Sequence, residues 1–186
     1  MMELETEHLL LRQWRESDAE TLYKYASDPC VGTAAGWPPH INIDHSLEVI
    51  RKVFSRPEVY AVVLKSPREP VGCIGLVPNN SPEIGKNDAE VGYWIGTPFW
   101  GQGFITEALC EFLRYCFEDL GYNAVWSGYY DGNDRSAGVL KKCGFTYHHT
   151  ENDKPCELMH DIRTEHFMRI TKKEWSKRHK KYSIIN

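Results

Sequence analysis

The chain has 186 residues, 41% of them hydrophobic and 26% charged, which suits one compact domain with a sizeable core. Its apolar runs fall far short of the ~20 residues of a membrane span, and the acidic amino terminus lacks a signal-peptide pattern, so a soluble cytoplasmic protein is expected. The net charge of −4 hides an asymmetry: Lys172 to Lys181 holds six basic residues and one acid, leaving 16 basic against 25 acidic residues elsewhere, an acidic body that argues against a nucleic-acid footprint.

His8 to Trp14 reads as a strand, and Ser17-Asp18-Ala19-Glu20 as a capping box for a helix whose inner face includes Leu22, Tyr25 and Ala26. A loop rich in Gly and Pro follows. Asp44 to Arg56 is helical by the spacing of Leu47, Ile50, Val53 and Phe54, and Val59 to Leu64 with Val71 to Val77 form a hairpin around a Pro-containing turn. Pro78 to Asp88 is a polar connection to a strand over Ala89 to Ile95. From near Gln102 a long helix shows the stripe Ile105, Ala108, Leu109, Phe112, Leu113, Cys116, Phe117 and Leu120, with Gly121 where a C′ glycine belongs. A strand over Ala124 to Tyr129, a helix from Asn133 to Lys142, a strand from Phe145 and a strand near His166 to Ile170 precede the basic terminal helix. Thr171 with Glu174 gives that helix a capping-box start. Residues 1–186 thus read as a single mixed α/β domain, without repeat or linker.

Six cysteines, at 30, 73, 110, 116, 143 and 156, show no CxxC pairing and read as reduced core thiols. His148, His149, Cys156 and His160 gather in one loop-like region, but their spacing matches no standard zinc site and the histidines are taken as solvated; no metal is expected.

The most informative stretch is Trp100-Gly101-Gln102-Gly103-Phe104-Ile105-Thr106-Glu107-Ala108, which sets two glycines between a strand and a helix. Glycine lets backbone approach a ligand closely, and the first amides of a helix lack intrahelical acceptors, so several N–H groups can converge on a phosphate. A dinucleotide fingerprint would need a third small residue at Thr106 and an acid about 20 residues on, and a nucleotide P-loop would need Gly-Lys-Ser/Thr; neither is present. A tight turn without a ligand stays open on these glycines alone.

Taken in order, Leu9-Leu10-Leu11-Arg12 in the opening Thr6 to Arg12, Glu90-Val91-Gly92-Tyr93-Trp94-Ile95, the Trp100 to Ala108 loop, and Asn133-Asp134-Arg135-Ser136 followed by Lys142-Cys143-Gly144-Phe145 carry a resemblance. Over nearly its whole length the chain resembles GNAT-type N-acetyltransferases, specifically their RimJ/RimL-like branch. The resemblance implies an α/β (α+β) domain with a mixed, mostly antiparallel twisted sheet, splayed central strands and helices on both faces. It also implies acetyl-CoA as co-substrate, its pantetheine arm between the splayed strands and its pyrophosphate on the amides of Gln102, Gly103, Phe104, Ile105 and Thr106. Two positions depart from the family loop: Trp100 stands for Arg or Gln, and Ile105 for a small residue.

The implied chemistry is direct attack of an amine on a thioester, which needs an unprotonated amine, a stabilised oxyanion and a proton for the departing thiolate. Glu90 is the expected base; by alternation it shares a face with Gly92 and Trp94, opposite Val91, Tyr93 and Ile95. Asn133 caps the helix it precedes and, by resemblance, contacts the cofactor arm. Leu140 occupies the place of a frequent tyrosine acid, so Ser136 is the expected donor at the cofactor sulfur, with unaided departure of a thiolate of pKa about 8.5 as the alternative. The acceptor is expected to be a cationic amine held near Cys30 to His45 and His148 to Asp161, drawn by Glu151, Asp153, Glu157 and Asp161. A protein N-terminal amine is the first reading; a small-molecule amine and a catalytically silent acyl-CoA sensor are the alternatives. A homodimer stays open.

Overall fold

The computed structural model describes residues 2–183, the side chains of 179–183 excepted. Eight strands form one sheet: β1 Leu4–Glu5, β2 Leu9–Gln13, β3 Val59–Leu64, β4 Pro70–Val77, β5 Asp88–Ile95, β6 Ala124–Tyr130, β7 Thr146–Cys156 and β8 Asp161–Thr171. The helices are α1 Ala19–Ala26, α2 Pro29–Ala35, α3 Ile43–Lys52, α4 Phe104–Arg114, α5 Asp134–Cys143 and α6 Lys172–Ser183. The sheet order is β1-β2-β3-β4-β5-β6-β8-β7, and β5–β6 is its one parallel pair among the described residues.

Both faces of the sheet are covered, as the near-continuous apolar runs of β3 and β4 require. On one face Leu9, Leu11, Val62, Ile74, Val91 and Val125 pack against the apolar stripes of α4 and α5 and Trp175 of α6. On the other, Val59, Ala61, Val63 and Cys73 meet Leu22 and Ala26 of α1 and Ile50 of α3. The expected mixed sheet with helices on both faces is therefore observed.

Helix α4 begins at Phe104, with Gly103 as its N-cap, and runs into a π turn over Tyr115–Asp119. Three consecutive residues there, Tyr115, Cys116 and Phe117, are buried. A straight α-helix cannot turn three neighbours toward one core, and the wider turn re-phases the stripe. Gly121 follows at φ 76°, in the left-handed region that a helix end favours.

Several expectations are corrected. The Gly/Pro-rich segment after α1 contains α2, because Asp28 caps the Cys30 N–H at 2.9 Å, Pro29 opens the first turn and Gly36 closes it at φ 82°. The region His148 to Asp161 is mostly strand: β7 continues to Cys156 and pairs with β8, with register shifts after Tyr147 and after Glu151. A short Glu157–Met159 turn joins the two strands. The Ser17–Glu20 capping box is replaced by a 3-10 turn over Glu16–Asp18, while the Thr171–Glu174 box forms, with Glu174 Oε2 2.8 Å from the Thr171 N–H. Cys30 and Cys110 are exposed and the other four cysteines buried; all six are free thiols. In the basic run that opens with α6, Lys172, Lys173, Lys177 and Arg178 are solvent-facing, and the side chains of Lys180 and Lys181 lie outside the described residues.

The capping change has a local cause. Asp18 accepts Arg12 Nη1 and Nη2 at 2.7 and 2.9 Å and the Arg15 N–H at 2.9 Å, and both side chains of the Arg12–Asp18 pair are only 8% exposed. Removing one member of such a pair leaves a buried charge unmatched. Arg12→Ala is expected to lower unfolding stability by about 3–5 kcal/mol. Arg12→Leu with Asp18→Leu should recover most of that in denaturant titration; a single-variant loss below about 1 kcal/mol would show that water already screens the pair.

Candidate functional site

The parallel ladder between β5 and β6 lasts three residue pairs, Asp88–Ala124, Ala89–Val125 and Glu90–Trp126. At the next residue the Ser127 hydroxyl donates to the Val91 carbonyl at 2.9 Å, a side chain replacing a ladder bond. Beyond it β5 stays with β4 through Ile95, and β6 stays with β8 through Tyr130. The carboxyl halves of the two central strands therefore separate, which opens a cleft where α/β sheets commonly bind ligands.

On the α4 face, the Trp100–Thr106 loop borders this cleft. Gly101 and Gly103 have φ of 75° and 88°, and a Cβ at either would meet no atom within 4 Å, so the loop backbone is open on its outer side. The Gly103 carbonyl accepts the Glu107 N–H at 2.9 Å, which leaves the amides of Phe104, Ile105 and Thr106 ahead of the first intrahelical bond, and no side chain caps them. These donors and the helix dipole suit a pyrophosphate. Ile105 is 6% exposed and packs into the core, so its bulk leaves the loop clear. Gln102 folds back, Nε2 donating to the Pro98 carbonyl at 2.7 Å, so only its backbone is offered to a ligand. Sequence reading gave Arg135 no role, yet its guanidinium lies 3.8 Å from the Trp100 ring centroid and adds an exposed cation beside the loop.

Asn133 caps α5, its Oδ1 accepting the Ser136 N–H at 3.2 Å. Its Nδ2 donates to the Ala34 carbonyl of α2 at 3.3 Å, so one amide ties α5 to the segment that crosses the cleft from the other face. Ser136 Oγ stands 2.9 Å from the Tyr93 hydroxyl. Burial pushes the Tyr93 phenol well above its usual pKa, against the hydrogen bond from Ser136. Leu140 is fully buried core. A phenol thus does stand near the cleft, supplied by β5, and alternation along that strand was the signal that would have found it.

Glu90 occupies the opposite face. Val91 and Ile95 enter the α4 core and Tyr93 reaches α5, while Trp94 packs edge-to-face on Trp37 with centroids 5.9 Å apart. Glu90 is 4% exposed, and its Oε2 accepts the Asn80 N–H at 2.6 Å. Its pKa is raised to about 7, by burial above all and by the neighbouring Glu165 and Glu151 carboxylates, against the Asn80 N–H and Lys154. A carboxyl poised near neutrality can both take and release a proton at physiological pH. Glu90 and Ser136 consequently lie on opposite faces of β5, with the gap between the strands separating them.

Two of the four acids expected to draw an amine are paired with cations. Glu151 is bound to Lys154 at 2.8 Å and held to a pKa of about 2, and Asp161 is bound to Arg163 at 2.8 Å. Asp153 and Glu157 remain exposed. His149 is stacked on Phe167 at 4.9 Å rather than solvated, and His148 meets the edge of Trp126 at 4.6 Å. The expected loop from Cys30 contributes α2, which lines an open groove of ≈ 630 Å³ together with Tyr130, Asn133 and Arg163. Arg163 also donates to the Thr33 carbonyl at 2.7 Å, fixing α2 to the β7–β8 hairpin.

The sequence pattern of the Acetyltransferase (GNAT) domain matches residues 8–146. The chain is 27% identical over 150 residues to N-acetyltransferase p20 of Bacillus licheniformis, covering 78% of this chain and 83% of that one. It is 35% identical over 71 residues to YdaF of Bacillus subtilis, a protein named for a ribosomal N-acetyltransferase activity, covering 38% of this chain and 39% of that one. Its fold is similar to that of a GNAT-family acetyltransferase from Bacillus anthracis, with a TM-score of 0.80 at 21% identity over 93% of this chain and 100% of that one. With the forked sheet and the glycine loop at the helix start, the match over residues 8–146 makes this chain a member of the GNAT acetyltransferase family, whose enzymes use acetyl-CoA as co-substrate.

Proposed function

We propose that the chain transfers the acetyl group of acetyl-CoA to a primary amine in one ternary complex, with a protein N-terminal amine as acceptor, in the manner of the RimJ/RimL-like enzymes. The observation that carries this reading is Glu90: a buried carboxyl with a pKa near 7, seated where the two central strands part. Bound acetyl-CoA supplies a thioester carbonyl open to attack. Gly103 and the Phe104–Thr106 amides hold its pyrophosphate, Asn133 and Ser136 border its arm, and Glu90 takes the proton lost by the attacking amine. As the new C–N bond forms and the C–S bond breaks, the thiolate gains a proton from the Ser136 hydroxyl, which is hydrogen-bonded to Tyr93; solvent returns one proton to Ser136 and receives the one taken by Glu90, so the site ends as it began. The protein acceptor is supported by the name of the YdaF relative and by the open groove under α2, which admits an extended chain end.

The decisive experiment is acetyl-CoA turnover with peptides carrying free or blocked N-termini, run beside polyamines, aminoglycosides and amino acids. Turnover of the free-terminus peptides alone is expected. Faster turnover of the small amines would move the acceptor to the other class, and cofactor binding with no turnover of any amine would identify a sensor.

Glu90→Gln should cut kcat/KM by about 10²–10⁴ while leaving CoA affinity unchanged, since the carboxyl acts on the amine. Ser136→Ala should cost less, and an unchanged rate would mean that the thiolate departs unaided. Gly103→Val, at φ 88°, places a β-branched residue in left-handed backbone and should abolish most of the CoA-induced stabilisation, expected at roughly 2.7 kcal/mol when ligand is about 100 times its dissociation constant.

Glu90 also links stability to pH. Its folded pKa of about 7 lies above the unfolded value of 4.5, so between these the folded state binds more protons and stability falls as pH rises. The full loss, on the order of 3 kcal/mol, is reached above pH 7. Glu90→Gln is neutral throughout and should gain on the wild type from pH 5 to pH 8 in thermal unfolding; parallel pH curves would show that Glu90 ionises normally.

A further inference from the structure

Asn80, in the β4–β5 connection, makes three contacts at once. Its N–H donates to Glu90 Oε2 at 2.6 Å, its Nδ2 to Glu165 Oε2 at 3.1 Å, and its carbonyl accepts Lys154 Nζ at 2.5 Å. Lys154 reaches back from β7 to do this, and its ammonium also lies 2.8 Å from Glu151 Oε2, 2.8 Å from Glu165 Oε2 and 4.5 Å from the Phe167 ring centroid. With two carboxylates and a carbonyl around it, the ammonium has an acceptor for each of its three N–H bonds. Glu165 is itself buried and lies against β6, where a Cβ on Gly128 would collide with its carboxylate.

The charges acting on Glu90 come from this hairpin: Glu165 of β8, and Glu151 and Lys154 of β7. His149 adds a ring nitrogen 3.2 Å from Glu151 Oε1, and the ladder neighbours Val77 and Trp126 carry no charge. Among the described residues Lys154 is thus the single cation in this group of three carboxylates, and the residue whose contact fixes the Asn80 carbonyl.

We propose that Lys154 is a positioning residue for Glu90: it pins Asn80 so that the Asn80 N–H grips the Glu90 carboxylate, and it offsets the Glu165 and Glu151 charges that would otherwise keep Glu90 protonated. Its effect on Glu90 holds whatever Glu90 does; only the kinetic consequence rests on reading Glu90 as the base.

The test follows the Glu90 carboxyl by carbon-13 NMR in glutamate-labelled protein, assigned with Glu90→Gln, beside the pH profile of kcat/KM. Lys154→Met should raise the Glu90 midpoint by roughly one pH unit, and Glu165→Gln, which removes a like charge, should lower it. Lys154→Arg, keeping the charge, should restore a near wild-type midpoint. If Glu90 is the base, the acid limb of the rate profile moves with it: Lys154→Met loses about tenfold in kcat/KM below the midpoint and little well above it. A folded Lys154→Met protein with an unmoved Glu90 midpoint overturns the proposal. If that variant does not fold, Glu165→Gln decides, and an unmoved or raised midpoint overturns it. A midpoint that moves while the rate profile stays put supports the role of Lys154 and rejects Glu90 as the base.

Discussion

The structure depends on how short the parallel contact between β5 and β6 is. Three residue pairs join the two halves of the sheet, and at the next position a serine hydroxyl takes over from the backbone. Strand separation in a sheet interior strands amides and carbonyls away from their partners, which is unfavourable unless something else meets them. Here each strand keeps its outer neighbour, β4 or β8, so the opening exposes one edge of each and leaves both well anchored. The helices at the fork follow from this: α4 and α5 border it on one face, and α2 crosses it on the other.

A carboxyl buried at the fork raises a second constraint. An isolated ionised carboxylate is disfavoured in an apolar interior, and the usual outcome is a raised pKa or a compensating partner. Glu90 shows both, because its surroundings are divided between apolar strands and a polar hairpin. The β7–β8 hairpin matters for this reason as much as for covering the sheet. Its bulges bring Lys154 and Glu151 back toward Asn80, and a regular two-residue alternation would have turned one of them outward.

Much of this was legible in the sequence because the signals were local. The α4 stripe, the alternation that puts Glu90 opposite Tyr93, the Thr171–Glu174 cap and the two glycines each depend on residues a few positions apart, where periodicity and backbone freedom act directly. What escaped was non-local. Asp18 binds Arg12 and the Arg15 N–H, which starts a turn at Glu16 ahead of the expected Ser17–Glu20 box, and Lys154 cancels Glu151, so acids that look free in the sequence are neutralised by partners that only folding identifies. Helix α2 hid behind its glycines and prolines, although Asp28-Pro29 and Gly36 are start and stop signals when read as a pair. Alternation along β5 gave the face of Tyr93, but its contact with Ser136, like that of Arg135 with Trp100, needed the pairing of strand and loop with helix, which no spacing along the chain encodes.

The placement of the glycine loop and Glu90 on opposite faces of one sheet also bears on the order of events. Under the proposed reaction a donor on the α4 face and an acceptor beneath α2 would approach from opposite faces of the sheet, so neither would have to leave for the other to arrive. Such geometry calls for intersecting initial-velocity patterns rather than the parallel lines of a covalent relay. The Asn133 amide, hydrogen-bonded to α5 on one side and to the Ala34 carbonyl on the other, and Arg135, which lines the groove and lies over the Trp100 ring, stand where the two approaches adjoin.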